Sequence, residues 1–184
     1  MKSMGYLRKS KYLLTILGLV LAPITGILIC QKFIRDTDFR NKTLSFVCGA
    51  TYLGTQNVVM QESKNDCGPA ALKMIFDYYS IPLSLEELRS KLMSNKGVSM
   101  VMIKTLAEAN GLKAEGWRYN KYELRYLNLP AIALVRAGHY VVISEIKNNQ
   151  KVIILDPALG KLEFPFRRFY KIWKGEILTF KKRL

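Results

Sequence analysis

The chain has 184 residues, one ordinary domain's worth, of which 49% are hydrophobic and 11% aromatic. It can therefore bury a core, and disorder is excluded as a description of the whole molecule. Lys and Arg number 29 against 14 Asp and Glu, a formal net charge of +15. The three Cys, at positions 30, 48 and 67, show no C-x-x-C spacing, so neither a disulfide framework nor a closed metal site is expected.

Residues 1–11 form a basic segment with Lys2, Arg8, Lys9 and Lys11, followed by nineteen uncharged positions, Tyr12 to Cys30. As a helix that run would be roughly 28 Å long, close to the roughly 30 Å hydrocarbon core of a bilayer, and it has no polar stripe. It is expected to be a single transmembrane helix. A cleaved signal peptide is the competing reading, but Pro23 directly after Ala22 spoils the cleavage site, and an uncleaved anchor is preferred. Basic residues flank the run on both sides, including Lys32, Arg35, Arg40 and Lys42, so charge does not orient it. Residues 31–54 read as a linker or irregular lead-in, and 55–184 as the folded domain.

Charge is concentrated at the end of the chain. From Lys161 onward eight basic residues face only Glu163 and Glu176. Such a surface suits anionic headgroups, an acidic peptide or nucleic acid, and no nucleic-acid-binding motif accompanies it.

Within the domain, Asp66 is expected to cap a helix from Cys67 to about Tyr79. Ser84 with Glu87 forms a capping box for a short helix to about Met93. A third helix runs from about Ser99 to Ala109 and stops at Asn110 and Gly111. Strands are expected at Lys113–Arg118, Ala131–Arg136, His139–Ile146, Lys151–Leu155 and Glu176–Phe180, with a hairpin turn at Asn148 and Asn149 and a turn from Asp156–Pro157 to Gly160. Arg167 to Trp173 reads as one more short helix. Helices first and a mostly antiparallel sheet afterwards is an α+β arrangement.

The chemistry centres on Gln61-Glu-Ser-Lys-Asn-Asp66-Cys67-Gly68-Pro69. A Cys in the first turn of a helix has its thiolate favoured by the macrodipole, although a lone Cys is more often a small buried apolar residue. His139, the chain's one histidine, stands at the start of an apolar strand. If the Asn148–Asn149 hairpin forms, the end of the following strand, Asp156, lies beside it. Cys67, His139 and Asp156 then make a nucleophile, a base and an orienting carboxylate. Gln61, six residues before the Cys, could share an oxyanion hole with the Cys67 N–H.

Gln61 to Ile75 (QESKNDCGPAALKMI), GHYVVI at 138–143 and ILDPALG at 154–160 resemble the double-glycine leader (bacteriocin-processing) cysteine peptidases, over about residues 56–180. The resemblance implies a papain-like fold, Cys67 as nucleophile, His139 as general base, Asp156 as orienting residue and Gln61 as oxyanion donor, with no cofactor and no metal. It implies a peptide precursor cut after a Gly-Gly pair as substrate. Well-known members are fused to an exporter, but the sequence contains no P-loop, since Gly111 to Gly116 is followed by Trp117 and Arg118. The expectation is a stand-alone, single-pass protein of the bacterial cell membrane, working beside a separate peptide-exporting transporter.

Three other classes stay open: a non-catalytic module that only holds leaders, a basic membrane- or nucleic-acid-binding protein, and a Cys–His acyltransferase. Retention of all four site residues argues against the first, and nucleic acid is not expected as a partner.

Overall fold

The computed structural model of the chain describes residues 21–93, 97–148 and 150–183. Two compact units divide between Thr43 and Leu44. The first holds helix α1 over 21–35 and the start of helix α2 (Thr37–Val47). Asp36 begins α2 by accepting the Phe39 N–H at 2.9 Å, the usual way a carboxylate satisfies a free first-turn donor. The expected span falls partly outside the description, because residues 12–20 are not covered. Among the described residues no helix is long and apolar enough to cross a membrane. The lead-in 31–54 is largely regular: it contains the end of α1, α2, and the short strand β1 (Thr51–Tyr52).

The second unit is a seven-stranded sheet of order β1-β6-β5-β4-β3-β7-β2, with β2 Leu112–Arg118, β3 Ala131–Val135, β4 His139–Lys147, β5 Lys151–Asp156, β6 Gly160–Pro165 and β7 Trp173–Lys182. Every pairing is antiparallel. The middles of strands β3, β4 and β5 read as near-continuous apolar runs because both faces of the sheet are covered there, while Glu145 and Lys151 towards the β4–β5 turn are exposed. On one face Ile132, Tyr140, Val142, Leu155, Leu178 and Phe180 pack with α3 (Cys67–Tyr78), α4 (Leu85–Leu92) and α5 (Met100–Ala109). On the other, Ala131, Ala133, Val141, Ile143, Ile154 and Ile177 pack with Phe169 of α6 (Phe166–Ile172) and with Leu124 of the 3₁₀ turn Glu123–Tyr126. The two-residue alternation between these sets is the pleat itself.

The helix starts follow their caps in two cases of three. Ser84 and Glu87 form the reciprocal box, and Ser99 accepts the Met102 N–H at 3.2 Å. Asp66 occupies the N-cap position of α3 but does not cap it: its backbone is helical and its side chain turns away. The carboxylate instead takes the Ser63 N–H at 3.1 Å and lies 2.8 Å from Arg89 Nη2 of α4. Strands β1 and β6 are additions to the expected set. The β4–β5 connection closes at Lys147↔Lys151 with Asn148 at φ 48°, and Asn149 lies outside the described residues.

Candidate active site

Three elements meet at one end of the sheet. Cys67 is the first residue of α3, and Gly68 follows because nothing larger fits there. A Cβ at Gly68 would stand 2.8 Å from Cγ1 of Val98, well inside contact distance. Pro69 sits in the first turn, where its missing N–H breaks no helical bond. His139 opens β4 directly after a turn in which Ala137 and Gly138 are both left-handed, at φ 61° and 72°. That reversal pairs Val135 with His139 across the hairpin and leaves the imidazole at the strand's end. Asp156 closes β5, opposite Gly160 across the next turn.

The imidazole links the other two groups. His139 Nε2 is 2.8 Å from Asp156 Oδ1, and the ring stands beside the Cys67 thiol, whose ionised form it favours. With Nε2 committed to the carboxylate, Nδ1 is the nitrogen left for sulfur. Asp156 is 6% exposed, and the same Oδ1 accepts the N–H groups of Ala158 at 2.8 Å and Leu159 at 3.3 Å. The turn therefore fixes the carboxylate independently of the imidazole.

Burial opposes charge on both reacting groups and is outweighed. For Cys67 it pushes the thiol up, but the His139 bond, N–H donors from Tyr140 and Gly68 and the imidazolium charge bring it below the ordinary 9.0. For His139 burial pushes the imidazole down, but bonds to Asp156 and Cys67 raise it from 6.5 to about 10. Both shifts run in the direction that favours a thiolate beside an imidazolium.

Gln61 is anchored by its own N–H to the Pro157 carbonyl, at 2.8 Å, so it rides on the Asp156 turn. Its Nε2 donates to the Ser63 carbonyl at 3.0 Å, and its Oε1 is buried without a partner. Ser63 in turn donates to Asp66, which Arg89 holds. Arg89 also reaches Glu62 at 3.0 Å, while its Nε and Nη2 find no aligned hydrogen-bond acceptor; the contact with Asp66 is ionic. Nothing in the sequence marks Arg89, a basic residue on a short polar helix, or the Tyr140 N–H that helps lower the Cys67 thiol. Beside the site, Val58, Val59, Met74, Tyr78, Pro130 and Leu155 wall a groove of about 560 Å³ that also includes Asp77 and Lys161.

A thiol, an imidazole and a carboxylate gathered in that order at the end of an antiparallel sheet are the groups that cysteine peptidases use. The chain belongs to the peptidase C39 family, whose match runs over residues 55–184. It is 30% identical, over 67% of its length, to the probable functional amyloid protease FapD of Pseudomonas aeruginosa. It is 28% identical, again over 67%, to the lactococcin-G-processing and transport ATP-binding protein LagD of Lactococcus lactis. The matches span 59% of the first relative and 18% of the second. Among solved structures it resembles a double glycine motif protease from an AMS/PCAT transporter, crystallised with its leader peptide. That likeness has a TM-score of 0.65 and 30% identity, over 73% of this chain and 98% of that one.

Proposed function

We propose that this peptidase hydrolyses a peptide bond after a Gly-Gly pair that ends the N-terminal leader of a secreted peptide precursor. The Cys67 thiolate attacks the scissile carbonyl. Gln61 and the Cys67 N–H stabilise the tetrahedral oxyanion, His139 protonates the leaving amine, and water releases the thioester with His139 as base. Asp156 holds the ring and its charge.

The observation that carries this reading is the His139–Asp156 contact of 2.8 Å, with the same ring lowering the Cys67 thiol. The double glycine motif protease supports the substrate class by analogy. The apolar groove along α3 would accept the leader's apolar side chains, helix in groove.

The chain is further proposed to be tethered to the bacterial cell membrane through residues 12–30 and to act beside a separate exporter. In α1 the side chains of Ile27, Leu28 and Ile29 are 58–59% exposed, an apolar surface without protein cover. The alternative, a module that holds leaders without cutting them, has no use for an ionised thiol.

The test is incubation of the purified protein with a precursor peptide containing Gly-Gly and with its Gly-to-Val counterpart, read by mass spectrometry. Cleavage after the pair, abolished by Cys67→Ala and by His139→Ala, is expected. Binding without cleavage by the wild type would replace this reading with the leader-holding one.

A further inference from the structure

The layer of the sheet opposite α3 carries a surface that peptide hydrolysis does not use. Strand β2 places Trp117 on the face opposite its buried Leu112 and Ala114, and its indole is 52% exposed. The segment that follows exposes Tyr122 at 64% and Tyr126 at 78%. Between and beside these rings stand Lys121, whose ammonium lies 4.9 Å from the Tyr122 ring centre, and Arg125. Helix α6 joins the same surface, because Tyr170 donates its hydroxyl to the Lys121 carbonyl. It adds the exposed Arg167, Arg168 and Lys171.

Across 117–126 and 166–174 the one acidic residue is Glu123, and its carboxylate is occupied by the Asn120 N–H at 2.7 Å. Among the described residues no carboxylate forms an ion pair with Lys121, Arg125, Arg167, Arg168 or Lys171. Exposed large aromatics among unpaired cations are costly to leave in water and suit a boundary that is apolar on one side and anionic on the other.

The path of the chain selects among anionic partners. Near the start of this unit stands Gly49, whose α-carbon faces the Arg168 side chain, with a built Cβ only 3.2 Å from that side chain. Just before it, Phe46 and Val47 are 82% and 77% exposed. The apolar run Tyr12 to Cys30 ends nineteen residues upstream, a distance that even an extended lead-in keeps within about 65 Å.

We infer that the α6 and 117–126 surface of this domain lies on anionic phospholipid headgroups, with Trp117, Tyr122 and Tyr126 at the interface and the five cations over the phosphates. The catalytic helix α3, on the other face of the sheet, then stays in water. The inference extends the proposed tether and does not require the proposed substrate.

Trp117 makes this measurable, since the other tryptophan, Trp173, is 5% exposed. The full chain would be placed in nanodiscs of zwitterionic lipid, or of the same lipid with phosphatidylglycerol, both with brominated acyl chains. Quenching of the Trp117 component is expected only with the anionic lipid. It should vanish in Trp117→Phe, and in 1 M salt, where the Debye length falls to about 3 Å. Neutralising Lys121, Arg125 and Arg168 to Gln should shift the surface equilibrium by about a hundredfold, at roughly fivefold per cation, while Cys67 alkylation stays unchanged.

Equal quenching on both lipids, or quenching indifferent to the three substitutions, would overturn the inference. So would retention by an acidic peptide or an oligonucleotide that the substitutions abolish without any lipid effect. If the chain fails to insert in zwitterionic discs, the tether proposal falls. The surface is then judged by flotation of the unanchored chain with phosphatidylglycerol vesicles, where no flotation overturns it.

Discussion

His139 Nε2 and Asp156 Oδ1 stand 2.8 Å apart across seventeen residues of chain, and that oxygen is already held by two N–H groups of its own turn. The imidazole is therefore aimed by a carboxylate that does not itself need aiming. Asp156→Ala should lower kcat by about 10²-fold or more, with a smaller change in KM. Asp156→Asn keeps an acceptor at the same place but not the charge, and should lose less. Steady-state cleavage of a Gly-Gly peptide checks both.

The pH dependence follows from the two shifts. Thiolate appears as pH rises through the lowered value of Cys67, and imidazolium is lost as pH rises through about 10 at His139. Iodoacetamide labelling of Cys67 should thus set in below pH 9, and cleavage should rise with it and fall again near pH 10. In His139→Ala the labelling limb should move up, because burial is then no longer opposed by the imidazolium. A limb that stays in place would mean the thiol is ionised by something other than the ring.

Arg89 reaches the site through Asp66, Ser63 and Gln61. Its removal leaves the Asp66 carboxylate, 5% exposed, with no cation, and an unpaired buried charge typically costs about 3 kcal/mol or more. Arg89→Ala should lower the urea midpoint accordingly. Cleavage by the folded variant should also fall, through kcat, while the Cys67 labelling profile stays put, since the oxyanion side and not the ion pair is disturbed.

Gly68→Ala would put a methyl 2.8 Å from Val98 Cγ1 and 3.1 Å from its Cβ. A β-branched side chain has no free rotamer to yield, so a loss of about 1–3 kcal/mol is expected. The double variant Gly68→Ala with Val98→Ala should recover much of it, and thermal unfolding of the pair of variants tests that.

Helix positions were legible where a side chain states them: Ser84 with Glu87, Ser99, and the Asn110–Gly111 stop. Asp66 misled because an Asp before a helix caps only if its backbone is extended, and here Arg89 draws the carboxylate elsewhere. Strand β6 was hidden between two turn signals, Gly160 and Pro165, although Leu162 and Phe164 alternate correctly. Two residues of β1 carry no periodicity at all. Trp173, expected to end the preceding helix, opens β7 instead, and its ring stacks back on Phe169 and Tyr170. That His139 and Asp156 lie together was legible because hairpin geometry fixes which strand ends are neighbours. The hydrogen bonds of Gln61 could not be read, because they depend on a loop conformation set by Ser63 and Pro157.

Loops between strands usually tolerate changes in length. The three residues between Asp156 and Gly160 form an exception. Two of their N–H groups clamp the Asp156 carboxylate, and the Pro157 carbonyl accepts the N–H of Gln61. Gly160 at their end, at φ 104°, lies so close to the Gly54 carbonyl that a Cβ would come to 2.7 Å. A single inserted residue would change the aim of the base and the seat of Gln61 together. This turn is thus the part of the enzyme least open to drift in length, and the natural place to break catalysis without touching any of the reacting side chains.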